Sequence, residues 1–216
     1  MPLPDATSEP VTAEGRPHPG LRALAPTGTI RAYRDGDRTS VLTVINAAAA
    51  VYRGVIPADR WHDPYMDPAE FDTEIAAGVS FSVDDRGGDV VAVMGIQAVR
   101  DVDLIRHAYV APAHQGRGLG AGLLRHLQDS TRRPLLVGTW AAAHWAIGFY
   151  EHHGFHQVAP DRAAQLLRTY WTVPDRQIET SVVLTDQPAP TRHRTEPAAD
   201  TAAADTAAAD DGTRPR

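Results

Sequence analysis

The sequence has no cysteine, which excludes disulfides, thiolate-ligated zinc or iron–sulfur centres, and a cysteine nucleophile. It has no lysine either, because all 21 basic residues are arginine. Schiff-base chemistry, a pyridoxal anchor and a P-loop lysine are therefore absent. No apolar run approaches the roughly 18 residues that a membrane-spanning helix requires. Nor is there an excess of positive charge: the net charge is -6, which argues against a general nucleic-acid footprint and for no nucleic-acid or membrane partner. Aromatic residues are sparse at 6%, so places where they cluster carry information.

Hydrophobic residues make up 43% of the 216, enough for one domain with a sizeable core. Residues 1–26 carry prolines at 2, 4, 10, 17, 19 and 26 and no apolar stretch, which reads as a flexible segment without a signal peptide. Residues 187–216 are rich in Pro, Thr, Ala and Asp and repeat AADTAAADTAAAD from Ala198 to Asp210. With no large apolar side chain to bury, this reads as a disordered tail. The expectation is a cytoplasmic protein whose ordered domain spans 27–186.

Within that domain, periodicity predicts strands at 29–33, 79–83, 90–99, 102–110, 134–140, 155–158 and 179–184. Helices are expected at 38–52, at 68–77 after an Asp67-Pro68 start, from Leu119 onward, and around Trp145 up to the C-cap Gly154. This alternation points to an α/β or α+β sheet domain.

The segment Tyr109-Val110-Ala111-Pro112-Ala113-His114-Gln115-Gly116-Arg117-Gly118-Leu119-Gly120 runs from strand through turn into a glycine-rich helix start. Glycines admit ligand atoms close to the backbone. The unpaired N–H groups and the dipole of the helix favour an anion such as a pyrophosphate. Arg117 can add a charge-assisted hydrogen bond. A P-loop is excluded by the missing Gly-Lys-Ser/Thr. A dinucleotide fingerprint fits Gly116-x-Gly118-x-x-Ala121, but lacks its acidic residue about 20 positions on, where Gly138-Thr139-Trp140-Ala141 stands.

The third reading is Gln-x-x-Gly-x-Gly. Gln115 to Gly120, preceded by Val110-Ala111-Pro112, resembles the acyl-CoA pyrophosphate loop of the Gcn5-related N-acetyltransferase (GNAT) superfamily. Ala146-Ile147-Gly148-Phe149-Tyr150-Glu151-His152-His153-Gly154-Phe155 resembles that superfamily's later helix, with one strand between the two motifs as the family shows. The resemblance covers about residues 28–185. It implies a mixed, mostly antiparallel sheet of six or seven strands flanked by helices, with an acyl-CoA cleft where 102–110 and 134–140 splay apart. It implies acetyl-CoA as cosubstrate, no metal, and contacts from Tyr109, Val110, Ala111, Gln115, Gly116, Arg117, Gly118, Leu119 and Gly120. The Val110 N–H would polarise the thioester carbonyl, and Tyr150 would be the general acid.

Two family positions differ. Ala143 stands where an asparagine is common, and Leu104 and Arg106 occupy the two usual places of a basic Glu or His on the strand. Candidate bases are then His107, which faces away on a regular strand unless a bulge re-aims it, and His144; Glu74 and a water chain are further options. Each histidine reads equally as a structural one. Trp61, Tyr65, Trp140 and Tyr170 are candidate walls of an acceptor pocket, or packed loop side chains. His152, His153 and His156 point in different directions and are not expected to hold a metal. The function implied is N-acetyl transfer to a primary amine of a small molecule, with a possible homodimer. The alternative is a non-catalytic acyl-CoA-binding sensor or scaffold.

Overall fold

The structure, a computed structural model, describes residues 28–188. The expected N-terminal segment 1–26 and all but Gln187 and Pro188 of the expected tail lie outside the described residues. The elements run β1 (Thr29–Ala32), α1 (Arg38–Ala49), α2 (Pro68–Ala76), β2 (Val79–Arg86), β3 (Asp89–Val99), β4 (Val102–Val110), α3 (Leu119–Ser130), β5 (Leu135–Trp140), α4 (His144–His152), β6 (His156–Gln157), α5 (Pro160–Tyr170), α6 (Asp175–Glu179) and β7 (Ser181–Thr185). They build a seven-stranded sheet in the order β1-β2-β3-β4-β5-β7-β6. The β4–β5 pair is parallel and the other neighbours are antiparallel.

Helices cover both faces. On one, Leu119, Leu123, Leu124 and Leu127 of α3 and Ile147 and Tyr150 of α4 pack on Met94, Ile105, Leu135 and Val137. On the other, Val41, Val44 and Ile45 of α1 with Phe71 of α2 meet Phe81, Val83 and Val93. Further along that face, Ala163, Leu166 and Leu167 of α5 cover Leu104, Leu136 and Val183. Because both faces are buried, β3 reads as an almost unbroken apolar run instead of alternating.

The sequence does not flag α5, although Ala163, Leu166 and Leu167 recur at helical spacing and Pro160 sits in its first turn. The strand expected from 79 to 83 extends to Arg86, and Gly87 and Gly88, with φ of 71° and 101°, make the turn alone. The strand expected at 179–184 begins two residues later, at Ser181, because α6 takes Asp175–Glu179. No helix among the described residues is long and apolar enough to cross a membrane.

Two irregularities position the site. Pairing of β4 with β5 stops at Ile105–Val137, although β4 continues to Val110 and β5 to Trp140, so the strands splay. On the other side of β4, the register passes from Gly95–Arg106 to Val93–Tyr109. His107 and Ala108 together therefore oppose Met94, which makes a β-bulge, and His107 sits at φ 51°.

Candidate active site

The splay opens a cavity of about 430 Å³ between β4 and β5. Alternation of backbone direction decides what faces it. The Ala111 N–H donates to the Val91 carbonyl on β3 at 2.9 Å, so the N–H and C=O of Val110 point the other way, into the gap left by β5. The Val110 carbonyl accepts from Gln115 Nε2 at 3.1 Å, which ties the glycine-rich turn to the strand end.

At the mouth of the gap the turn enters α3 through Gly118, the N-cap residue, at φ 78°, with Gly116 at φ 71°. Both are in the left-handed region, and a Cβ at either would meet nothing within 4 Å. No side chain caps the helix, and its first bond is from the Gly122 N–H to the Gly118 carbonyl. The N–H groups of Leu119, Gly120 and Ala121 are therefore free to meet an anion beside the exposed Arg117. Gly120 admits the edge of Phe149, whose nearest carbons would be 3.4 Å from an added Cβ.

Tyr150 lies on the inner face of α4, 5% exposed, packed edge-on against Phe149 and Phe155, and it lines the cavity. Burial pushes its phenol well above the usual tyrosine pKa, and the Tyr52 phenol across the cavity adds to this. It is therefore a proton donor at neutral pH.

The bulge turns His107 toward α2. Its Nε2 lies 3.2 Å from Glu74 Oε2, with Phe81 packed against the ring at 5.8 Å. Glu74 is in turn held by both oxygens on Arg106 NH2, at 2.9 and 2.8 Å, while Arg106 NH1 donates to Gln97 Oε1 at 2.6 Å. Burial raises the Glu74 pKa, but the His107 contact and the charges of His107 and Arg106 outweigh it and hold the carboxyl below its ordinary value. His107 and Arg106 both line the cavity. His144 is exposed at the start of α4 and is not among the lining residues.

The aromatic wall differs in part from the expected one. Tyr65 and Trp140 line the cavity. Trp61 stands behind Tyr65, 5.6 Å away, under the Arg53 guanidinium. Tyr170 turns away and donates to Asp101 Oδ1 at 2.8 Å. Its neighbour Trp171 lines the cavity instead, lying over Gly138, where an added Cβ would come 3.2 Å from the indole. Tyr52 stacks on Tyr65 at 6.0 Å, and Tyr109 meets Tyr65 edge-on at 6.4 Å. Burial pushes Tyr52 up to about 12 and Tyr109 well above its usual range. The loop bearing Tyr65 is pinned to α1 by Asn46, whose amide bonds the Met66 N–H at 2.8 Å and carbonyl at 2.9 Å. Neither Asn46 nor Trp171 is singled out by a local motif. Among the described residues no group of His, Asp and Glu is arranged to hold a metal.

A family model described as an acetyltransferase (GNAT) domain matches residues 77–157, which hold the bulge, the glycine turn and Tyr150. Over this segment the chain is similar to the GNAT superfamily. A curated relative, the L-amino acid N-acyltransferase MnaT of Escherichia coli (strain K12), is 32% identical over 113 residues. That match covers 48% of this chain, and this chain spans 63% of the relative's length. Among solved structures, an N-acetyltransferase from Thermoplasma acidophilum in complex with coenzyme A has a TM-score of 0.58 at 11% identity, covering 75% of this chain and 99% of that one. The ribosomal-protein-S18-alanine N-acetyltransferase from Escherichia coli has a TM-score of 0.53 at 20% identity, with 77% and 98% covered. At these identities the two structures bear on the fold, which is the mostly antiparallel, helix-flanked GNAT sheet.

Proposed function

We propose that this protein is a cytoplasmic N-acetyltransferase that moves the acetyl group of acetyl-CoA directly to a primary amine of a small molecule. The observation that carries the reading is the Val110 backbone, exposed in the strand gap between the uncapped α3 N-terminus and Tyr150. The free N–H groups of α3 and Arg117 receive the pyrophosphate, and the edge of β4 pairs with the pantetheine arm. The Val110 N–H then donates to the thioester oxygen as it gains negative charge.

On the opposite side, His107 takes the proton of the acceptor ammonium, with the Glu74 carboxylate 3.2 Å from its Nε2 to stabilise the imidazolium that forms. The freed amine attacks the carbonyl carbon, the N–C bond forms and the C–S bond breaks. Tyr150 gives its proton to the departing sulfur and regains one from solvent. Most of the rate enhancement on this reading comes from positioning and oxyanion stabilisation. Tyr150 and His107 both line the cavity, with Glu74 behind His107, which supports an enzyme over a passive acyl-CoA sensor.

The test is a thermal-shift titration of the full chain with acetyl-CoA, with NAD as control, followed by thiol release over an amine panel. Acetyl-CoA at a hundred times its dissociation constant is expected to add about 2.7 kcal/mol of stability. No rise in melting temperature in a folded protein would remove the reading. A rise without thiol release from any amine would favour the sensor.

A further inference from the structure

The charges of the acceptor side are spent on each other, and what is left is aromatic. Arg106 is the guanidinium lining the cavity among the described residues, and it is committed at both terminal nitrogens, to Glu74 and to Gln97. Arg53 and Arg176 also have carboxylate partners, Asp63 at 2.5 Å and Asp59 at 3.3 Å, and Arg117 at the mouth is assigned to the pyrophosphate. Glu74, beside the lining residues Arg106 and His107, is occupied by both of them. The tyrosines Tyr52, Tyr65 and Tyr109 stay neutral, because burial holds their phenols protonated.

Resting on the N-acetyltransferase reading, we infer that the acceptor is a primary monoamine carried on a flat apolar or aromatic body without a carboxylate. The stacked Tyr52–Tyr65 pair at 6.0 Å and 15°, with Trp171 seated against the Cβ-less Gly138, offers aromatic surfaces against which such a body packs. Aromatic faces also attract an arriving ammonium before it loses its proton. An α-amino acid would bring a carboxylate with no free cation to meet it, and a buried unpaired carboxylate is strongly disfavoured. A polyamine would bring a second ammonium to a carboxylate already doubly bonded. In this respect the site departs from what the name of its L-amino acid N-acyltransferase relative suggests.

The experiment compares 2-phenylethylamine with L-phenylalanine, which differ by the carboxylate alone, and adds spermidine. Two readouts are taken on the full chain: thiol release from acetyl-CoA, and quenching of indole fluorescence with CoA present, since Trp140, Trp145 and Trp171 line the cavity. The expected result is a kcat/KM for 2-phenylethylamine on the order of a hundredfold above both others, and quenching by it alone if turnover is too slow to follow. Equal or better use of phenylalanine or spermidine overturns the inference, as does quenching by none of the three. An acetyl-CoA thermal shift accompanied by the inverted order removes this inference and leaves the acetyltransferase reading standing. Absence of that shift removes the acetyltransferase reading. As a second variant, Trp171→Leu is expected to raise KM for 2-phenylethylamine about tenfold with the acetyl-CoA shift unchanged; an unchanged KM counts against the aromatic wall.

Discussion

Replacing Tyr150 by Phe removes one oxygen from a site where the carbon frame is fully packed. The ring lies between Phe149 and Phe155, with centroids 5.1 and 5.6 Å away, so phenylalanine has the neighbours it needs. Among the described residues the hydroxyl is bonded to no protein group and borders the cavity, so its loss leaves no orphaned partner in the fold. The variant is thus expected to melt within a couple of degrees of the parent and to bind acetyl-CoA with unchanged affinity. What it loses appears only when sulfur leaves as a thiolate. A hydrogen bond to a charged group is worth about 1.5–3 kcal/mol, and about 1.4 kcal/mol corresponds to a factor of ten in rate. Turnover should therefore fall roughly ten- to a hundred-fold, with little change in KM for acetyl-CoA. The assay is steady-state thiol release with the best amine of the panel, alongside calorimetric titration of acetyl-CoA and a melting curve. Turnover within twofold of the parent, with affinity intact, would show that Tyr150 only packs.

The Glu74–His107 pair is expected to act as a unit. His107→Gln should lower kcat by about a hundredfold or more, Glu74→Gln by a smaller factor, and the double variant by no more than His107→Gln alone; additive losses would separate the two residues. Gly95→Ala should lower the melting temperature, because the added Cβ would stand 2.8 Å from Val79 Cγ1 and 3.1 Å from the Arg106 carbonyl beside the bulge; a neutral effect would mean that β3 shifts freely there. Acid should destabilise the fold below about pH 4. Glu74, Asp37 and Asp85 are all held below their ordinary pKa, the first despite burial, the second mainly by Arg31 and the third by the Gly88 N–H and then Arg31. A depressed folded pKa contributes stability that is present at neutral pH and lost as pH falls through it, so melting temperature should fall from pH 5 to pH 3, and a flat profile would contradict this.

Local signals were sufficient wherever the chemistry is local. The glycine turn needs left-handed residues and free N–H groups at a helix start, and Gly116, Gly118 and the missing side-chain cap satisfy both within a few positions. Tyr150 sits in a run of ten residues whose pattern is itself informative. The acceptor side is assembled from distant segments and gives no such signal. Tyr170 and Trp171 are adjacent in sequence, and the end of α5 turns one toward Asp101 and the other into the cavity. The absence of a Cβ at Gly138 gives the second its seat. Asn46 is one of several polar residues of α1, and only the fold shows that it grips Met66, 20 positions away.

His107 shows why alternation on a strand is a conditional rule. Counted from Leu104 and Arg106, it belongs to the α3 side of the sheet, where a catalytic role toward the acceptor is excluded. The extra residue in β4 opposite Met94 reverses that assignment and puts His107, Tyr109 and Ala111 on the α1–α2 side. Val110, paired with Ala92, has its side chain toward α3 and its N–H in the gap. On the proposed reading, one inserted residue thus sets where the acceptor-side base points, and the Ala92–Val110 pairing sets the oxyanion donor. Deleting Ala108 would restore a regular strand. Val110 would still pair with Ala92 and keep its N–H in the gap, while His107, now alone opposite Met94, would turn to the α3 side, so turnover should fall with acetyl-CoA affinity retained, as steady-state thiol release and a calorimetric titration would show.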